Sequence, residues 1–383
     1  MFADTRSARR QKMPHLYVNS RGIVWKKHSY SSGNIFDNCP YKYYLMKVLG
    51  WKEKDNKARF LFGKAVEESI QFYHDHGGQI SIAEDFERRW AAHKDNTGIS
   101  YTDVEKNWET CRIMGRDMVR LYAAVQPKLP IPMGAKSVWQ RNYAKEVFPS
   151  DPNYGEIEFE GRLDIVCYVD PKHPMLSELN STEQYRPLIV DIKTSAVEFP
   201  EQPGLAALDA QLRVYSWVSG IRDVALLWFV KKGLGYKRGY TVYFIDKVEG
   251  FEPGDSGIVE SLDGDHLYVV KHDFMLSQPD KYATRVKLTS VTKQKLQFNA
   301  GRVTEQSAND AGRIAGRQII GIVNAWKTRQ WPNTFGIRYP HDDRNDSYFR
   351  AFVLGDEAYK KQNFTKSDEE SFDTLFQEEL NED

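Results

Sequence analysis

Cysteine is scarce in this chain. Its 383 residues hold three, Cys39, Cys111 and Cys167, widely scattered and odd in number. That excludes a disulfide framework and a zinc ribbon and makes a reducing cytosol the expected compartment. No apolar run approaches the roughly 20 residues that a membrane-spanning helix needs. The opening "MFADTRSARRQKM" has no apolar core of the kind a secretory signal uses. A Gly-x-Ser-x-Gly nucleophile turn is absent, and no Cys–His pairing stands out. The Gly-Lys in "FGKAVEES" lacks the upstream glycine and the following Ser or Thr of a phosphate-binding P-loop. No internal repeat and no convincing interdomain linker is found.

An excess of either charge is missing too: 53 Lys and Arg face 53 Asp and Glu. The balance hides a strong asymmetry. Residues 368–383 hold eight acids and no Lys or Arg, which leaves 45 acids against 53 bases, a net +8, in the rest of the chain. The first 28 residues carry seven bases (Arg6, Arg9, Arg10, Lys12, Arg21, Lys26, Lys27) against Asp4 alone. Neutrality overall therefore does not exclude an anionic partner.

What is present has the balance of a globular protein, with 41% hydrophobic and 28% charged residues. "YSSGNIFDNCPYKYYLMKVLG" (30–50) reads as a helix capped by Ser31 or Ser32. A second helix is expected from Phe60 to His74, with Phe62, Val66, Ile70 and Tyr73 as its apolar stripe. Helical patterning continues to the proline-rich break at 127–132. "KSVWQRNYAKEVF", "GEIEFEGRLDIVCYVD" and "RPLIVDIKTS" are strand-like in their Val, Ile, Tyr and Phe content. "LAALDAQLRVYSWVSG" reads as a helix ending at Gly220, followed by the buried strand "VALLWFVKK". A long helix capped by Thr304 is expected over 304–330. "HDH" (74–76), at a helix end before Gly77-Gly78, reads as a solvated helix C-terminus rather than a metal cluster. This order of elements predicts an α/β fold with helices packed on a mixed sheet.

"LIVDIKTS" (188–195) sets a physical problem. Leu188, Ile189, Val190 and Ile192 belong in a buried strand, yet Asp191 and Lys193 interrupt them. Side chains two apart share a strand face, about 7 Å apart. "GRLDIVCY" repeats the anomaly, with Asp164 inside an apolar run. Paired strands would set the two carboxylates side by side, an arrangement that needs a shared proton or cation. Two or three carboxylates with a main-chain carbonyl form a hard oxygen site suited to Mg²⁺ or Mn²⁺. For either strand alone, a strand-end acid and a surface ion pair would be the ordinary reading; the coincidence of both favours a metal site. On the helix before them, Glu67 shares a face with Gly63, while Glu68 aligns with Leu61, Ala65 and Phe72, so helical spacing leaves the choice between the two acids open. Gln211 and Tyr215 are four apart and share a helix face.

Asp164…Asp191-Ile192-Lys193 resembles the signature of the PD-(D/E)XK nuclease superfamily. Four further segments, in the same order over about 30–230, resemble its RecB-type exonuclease branch, which includes CRISPR-adaptation and phage recombination exonucleases: "SSGNIFDNCPYKYYL", "FGKAVEE", "GRLD" and "QLRVY". The resemblance implies a restriction-endonuclease-like α/β core, a central mixed sheet flanked by helices with an N-terminal helical region and a C-terminal α/β elaboration. It implies Mg²⁺ or Mn²⁺ held by Glu67, Asp164, Asp191 and the Ile192 carbonyl, with Lys193 as the catalytic base or charge stabiliser. It also picks Glu67 over Glu68 and gives Gln211 and Tyr215 a substrate-binding role. Two departures stand out. Many relatives tie the cysteine equivalent to Cys39 to three C-terminal cysteines around an iron–sulfur cluster, whereas no cysteine follows Cys167 here, so no cluster is expected. Glu also stands where His is common.

The organisation this implies is a basic flexible arm over 1–28, a nuclease domain over 29–335 (core 30–235, elaboration 236–335), and an irregular, acidic-tailed segment over 336–383. The expected activity is metal-dependent DNA exonuclease hydrolysis of phosphodiesters, in recombination, repair or phage and defence DNA processing within a bacterial or phage-infected host cytosol. The alternatives are a non-catalytic DNA-binding scaffold in a nuclease–helicase or recombination complex and a structure-specific endonuclease. The tail "DEESFDTLFQEEL" reads as a disordered solubilising segment, or else as a peptide docking a helicase, recombinase or single-strand-binding protein. No membrane partner is expected.

Overall fold

The structure is a computed structural model that describes residues 16–19, 22–25, 28–54, 56–96, 98–147, 158–170, 172–179, 186–271, 283–335 and 346–366. The acidic tail and most of the basic arm lie outside these. Within the arm, Leu16–Asn19 pairs antiparallel with Gly22–Trp25.

After the short strand pair come four longer helices, α1 (Tyr30–Asn38), α2 (Ala58–Asp75), α3 (Ile82–Ala91) and α4 (Trp108–Val125), with a single further turn over Pro40–Tyr43 behind α1. Strands β1 (Ser137–Glu146), β2 (Glu158–Val169) and β3 (Arg186–Ser195) follow, then α5 (Ala210–Ser219) and β4 (Asp223–Val230). A run of shorter strands comes next: β5 (Thr241–Phe244), β6 (Ser256–Asp263), β7 (His266–Lys271), β8 (Thr284–Lys287) and β9 (Val291–Thr292). Strand β10 (Lys295–Arg302) and the long helix α6 (Glu305–Thr328) lead towards the C-terminal segment.

The central sheet has the order β10-β4-β3-β2-β1. It is mixed: β3 and β4 run parallel, and the other neighbours are antiparallel. Both of its faces are covered, which is why its middle strands are nearly continuous apolar runs. In β4 every residue but Trp228 is buried. Helices α2, α3 and α4 cover one face, packing Phe62, Val66, Phe86, Met114 and Met118 against Ile165, Val190, Leu227 and Phe229. On the other face, Leu212 and Tyr215 of α5 and Ala308 of α6 meet Val166, Ile189, Val224 and Leu226.

A second sheet, ordered β8-β7-β6-β5-β9 and antiparallel throughout, is inserted between β4 and β10. It has its own core of Val242, Phe244, Val259, Leu267 and Val269. Arg120 of α4 grips it through both oxygens of Asp246 at 2.9 Å. The C-terminal stretch returns to the N-terminal one, where Tyr348 and Phe364 pack with Leu45, and Phe364–Lys366 pairs with Trp51–Glu53. No helix among the described residues is long and apolar enough to cross a membrane.

Three local expectations change. The helix expected over 30–50 is capped by Ser29 and breaks at Cys39, whose sulfur accepts the Lys42 N–H at 3.4 Å where Pro40 opens a new turn. Proline suits the first position of a helix because it lacks the N–H that would be left unpaired there. The helix ending at Gly220 starts at Ala210, because Asp209 caps it by accepting from Leu212 N–H at 2.9 Å. Finally, His74 is buried against Tyr122, while Asp75 and His76 fit the solvated helix end.

Candidate active site

The acids arrive from three elements. The β2–β3 ladder ends at Ile165↔Val190, so Asp164 and Asp191 stand one step beyond the last pair. There the Asp164 carboxylate takes over the role of a main-chain partner, its Oδ2 accepting the Ile192 N–H at 2.9 Å. Asp191 is only 1% exposed and points to the α5 side of the sheet with its neighbour Ile189. Lys193, on the same face, sets its Nζ 2.7 Å from Asp191 Oδ2. That contact is a short ion pair between the ammonium and a buried carboxylate.

Helix α5 supplies the next layer. Gln211 accepts from Lys193 Nζ at 3.0 Å and donates through Nε2 to Asp191 Oδ1 at 3.3 Å and to Tyr215 Oη at 2.7 Å. Its amide thus fixes the acid and the base together. The Tyr215 ring reaches this position because Gly161, in "GRLD", has no side chain: a Cβ there would lie 3.2 Å from Tyr215 Cδ1.

Glu67 enters from α2 on the other side. The helix runs close to β3, since a Cβ on Gly63 would lie 3.2 Å from Thr194 Oγ1. Glu67 is half-buried, and its Oε1 accepts from Gln140 Nε2 at 3.3 Å. Glu68 turns away into an ion pair with Arg89 at 2.9 Å. The structure therefore brings Glu67, Asp164, Asp191, Lys193, Gln211 and Tyr215 to one place, with the Ile192 backbone held beside them. Four further residues adjoin the site without having been singled out in the sequence. Gln140 contacts Glu67, Arg162 bonds to Gln140, and Tyr30 and Asp209 lie in the field of Asp191 and Lys193. Arg162 sits inside the quoted "GRLD", but nothing in local pattern marks Gln140.

The electrostatics agree with the packing. Burial pushes the Asp164 and Asp191 carboxyls well above their usual range; the nearby Glu67 adds to the rise at Asp164, while at Asp191 the Lys193 ammonium opposes it. Glu67 is raised as well, again by burial first, against the pull of Gln140 and Arg162. Burial disfavours the Lys193 ammonium, but Asp191, Asp164 and Asp209 outweigh it and hold its proton more firmly than usual. One buried and two half-buried carboxylates around one ammonium leave an excess of negative charge that a hard cation would relieve. The donor set fits such an ion chemically. As the side chains stand, no group of three or more His, Cys, Asp or Glu among the described residues is gathered closely enough to hold one; Lys193 and Gln211 occupy Asp191 instead. Cys39 is buried at 3% exposure.

Two acids and a lysine thus stand where the β2–β3 ladder ends, joined by an acid from a flanking helix. The chain belongs to the PD-(D/E)XK nuclease superfamily, whose family pattern matches residues 27–234. Membership suggests nuclease activity on DNA, and nucleases of this superfamily typically use divalent metals. No curated protein matches the chain. Among solved structures, one described as the crystal structure of SSO0001 aligns with 82% of this chain and 93% of its own, at 10% identity and a TM-score of 0.26.

Proposed function

We propose that this protein is a Mg²⁺- or Mn²⁺-dependent DNA exonuclease of the RecB-type branch, acting in recombination, repair or phage and defence DNA processing. The observation that carries the reading is the convergence of Glu67, Asp164, Asp191 and Lys193 from α2, β2 and β3, braced by Gln211 of α5. Glu67, Asp164, Asp191 and the Ile192 carbonyl are the groups that would hold the ion. A bound divalent ion supplies Lewis-acid charge and lowers the pKa of a coordinated water.

The chain's own residues then have separable tasks. Lys193, held beside Asp191 and Gln211, would orient or help deprotonate the attacking water and meet charge developing on the phosphate oxygens. Gln211 fixes the Lys193 ammonium relative to Asp191, and Tyr215 fixes Gln211. The acidic tail, as a docking peptide for a helicase, recombinase or single-strand-binding protein, is a separate part of this proposal.

The deciding experiment is digestion of end-labelled linear, nicked and closed-circular DNA with Mg²⁺ or Mn²⁺, with an EDTA control. Loss of linear DNA alone, abolished by EDTA, is the expected result. Cleavage of closed circles would instead make the protein an endonuclease, and binding without cleavage of any form would make it a scaffold.

A further inference from the structure

The central sheet carries a defect beside the site. Strands β1 and β2 pair up to Trp139↔Ile165 and resume at Arg141↔Leu163 in the same register, so the rung between Gln140 and Asp164 is missing. The faces exchange across that gap. Trp139 and Ile165 pack in the α2–α4 layer, whereas Tyr143 and Leu163 pack in the α5 layer. In an unbroken strand, side chains an even number of residues apart share a face. Gln140 absorbs the exchange with a φ of 49°, in the left-handed region that few non-glycine residues adopt. The other described non-glycine of this kind, Arg329 at φ 55°, sits at the C-terminal cap of α6, where such a conformation is ordinary. Gln140 stands in mid-strand with no cap or turn to explain it.

Its side chain does. The amide Nε2 donates to Glu67 Oε1 at 3.3 Å, while the amide oxygen accepts from the Arg162 guanidinium. We infer that Gln140 is a positioning residue, held in a strained backbone conformation because only there does its amide fix one oxygen of Glu67 and leave the other free for a cation. A direct Arg162–Glu67 ion pair would orient the carboxylate but neutralise it and engage its oxygens. An amide placed between them orients it with a neutral donor and keeps the guanidinium one residue further out. Outer groups of this kind set the geometry of ligating carboxylates. The inference rests on the reading of Glu67 as a metal ligand.

The test compares Gln140→Gly and Gln140→Asn with the parent in the full chain. Glycine and asparagine both tolerate the left-handed backbone, and neither carries an amide that reaches Glu67. Calorimetric titration with Mn²⁺ should show affinity weakened by about 10–100-fold in both variants. Melting in EDTA should be unchanged in Gln140→Asn and unchanged or raised by about 1–3 °C in Gln140→Gly, where the strain is relieved. Mn²⁺ affinity within about twofold of the parent would overturn the inference, as would a clear fall in melting temperature, which would make Gln140 a structural support. Glu67→Gln separates the two claims. If it loses Mn²⁺ affinity while the Gln140 variants keep theirs, only the positioning role falls; if it binds Mn²⁺ as the parent does, the ligand reading and this inference fall together.

Discussion

Glu67 and Glu68 are adjacent in the chain and live in opposite surroundings. Glu68 meets Arg89 at 2.9 Å and Lys64 at 3.7 Å on the helix exterior, contacts worth a few tenths of a kcal/mol up to about 1. Glu67 faces Asp164, Asp191 and Gln140. Glu68→Ala should therefore leave cleavage within about twofold of the parent and cost no more than about 1 kcal/mol. Glu67→Ala should abolish Mn²⁺-dependent cleavage, and equal rates for the two variants would remove Glu67 from the site. Lys193 gives a second contrast. Its ammonium is tied to Asp191 and Gln211, so Lys193→Met should lower the cleavage rate by roughly 10²–10⁴-fold, the scale of a lost proton-transfer or orienting group, while DNA binding in a gel shift persists. A normal rate would refute its role.

Between elements, the site depends on how closely β2 and α5 approach. Gly161→Val would drive its side chain into the Tyr215 ring, 3.2 Å from where even a Cβ would sit. Overpacking of that kind costs about 1–3 kcal/mol. The same displacement would move Gln211 off Lys193, so melting temperature and cleavage rate should fall together; a variant that melts early but cleaves normally would show that α5 does not position the lysine. At this scale the sequence was most informative where the signal was local. The apolar run of β3 with its two charges, the Gly220 end of α5 and the stripe of α2 were all readable from a few neighbouring residues. The break at Cys39 was visible as Pro40, yet the helical periodicity on either side masked it. What stayed hidden was non-local. That β10 completes the central sheet beside β4, with a whole second sheet inserted between them, follows from pairings such as Lys295↔Val230 and Arg302↔Asp223 that no short window carries. The same holds for Gln140, whose importance comes from a missing rung and from a helix about 70 positions earlier.

Across the whole molecule, a buried ion pair adds to the apolar packing between the helical layer and the central sheet. Lys231, just past β4 where the chain leaves for the second sheet, donates to Glu105 ahead of α4, and their side chains are 6% and 4% exposed. Burial pushes the Glu105 carboxyl up, but hydrogen bonds from Lys231 and Thr102 and the Lys231 charge outweigh it and hold it below its ordinary range. An acid depressed in the folded state contributes stability that is fully present above its unfolded pKa of about 4.3 and is lost as pH falls through the lower folded value. Glu105→Gln imitates the protonated acid and leaves the ammonium buried without a counter-charge, a change that costs about 3 kcal/mol or more. The gap in stability between parent and Glu105→Gln should thus be constant from pH 7 to about pH 5 and close only below about pH 4. Adding Lys231→Met should recover most of the loss at pH 7, because an apolar pair of similar volume removes the buried charge altogether. Denaturant melts of the three proteins across that range decide the matter. A gap that closes near neutrality, or a double variant no more stable than Glu105→Gln, would mean that the pair does not stabilise the fold as a buried charge pair.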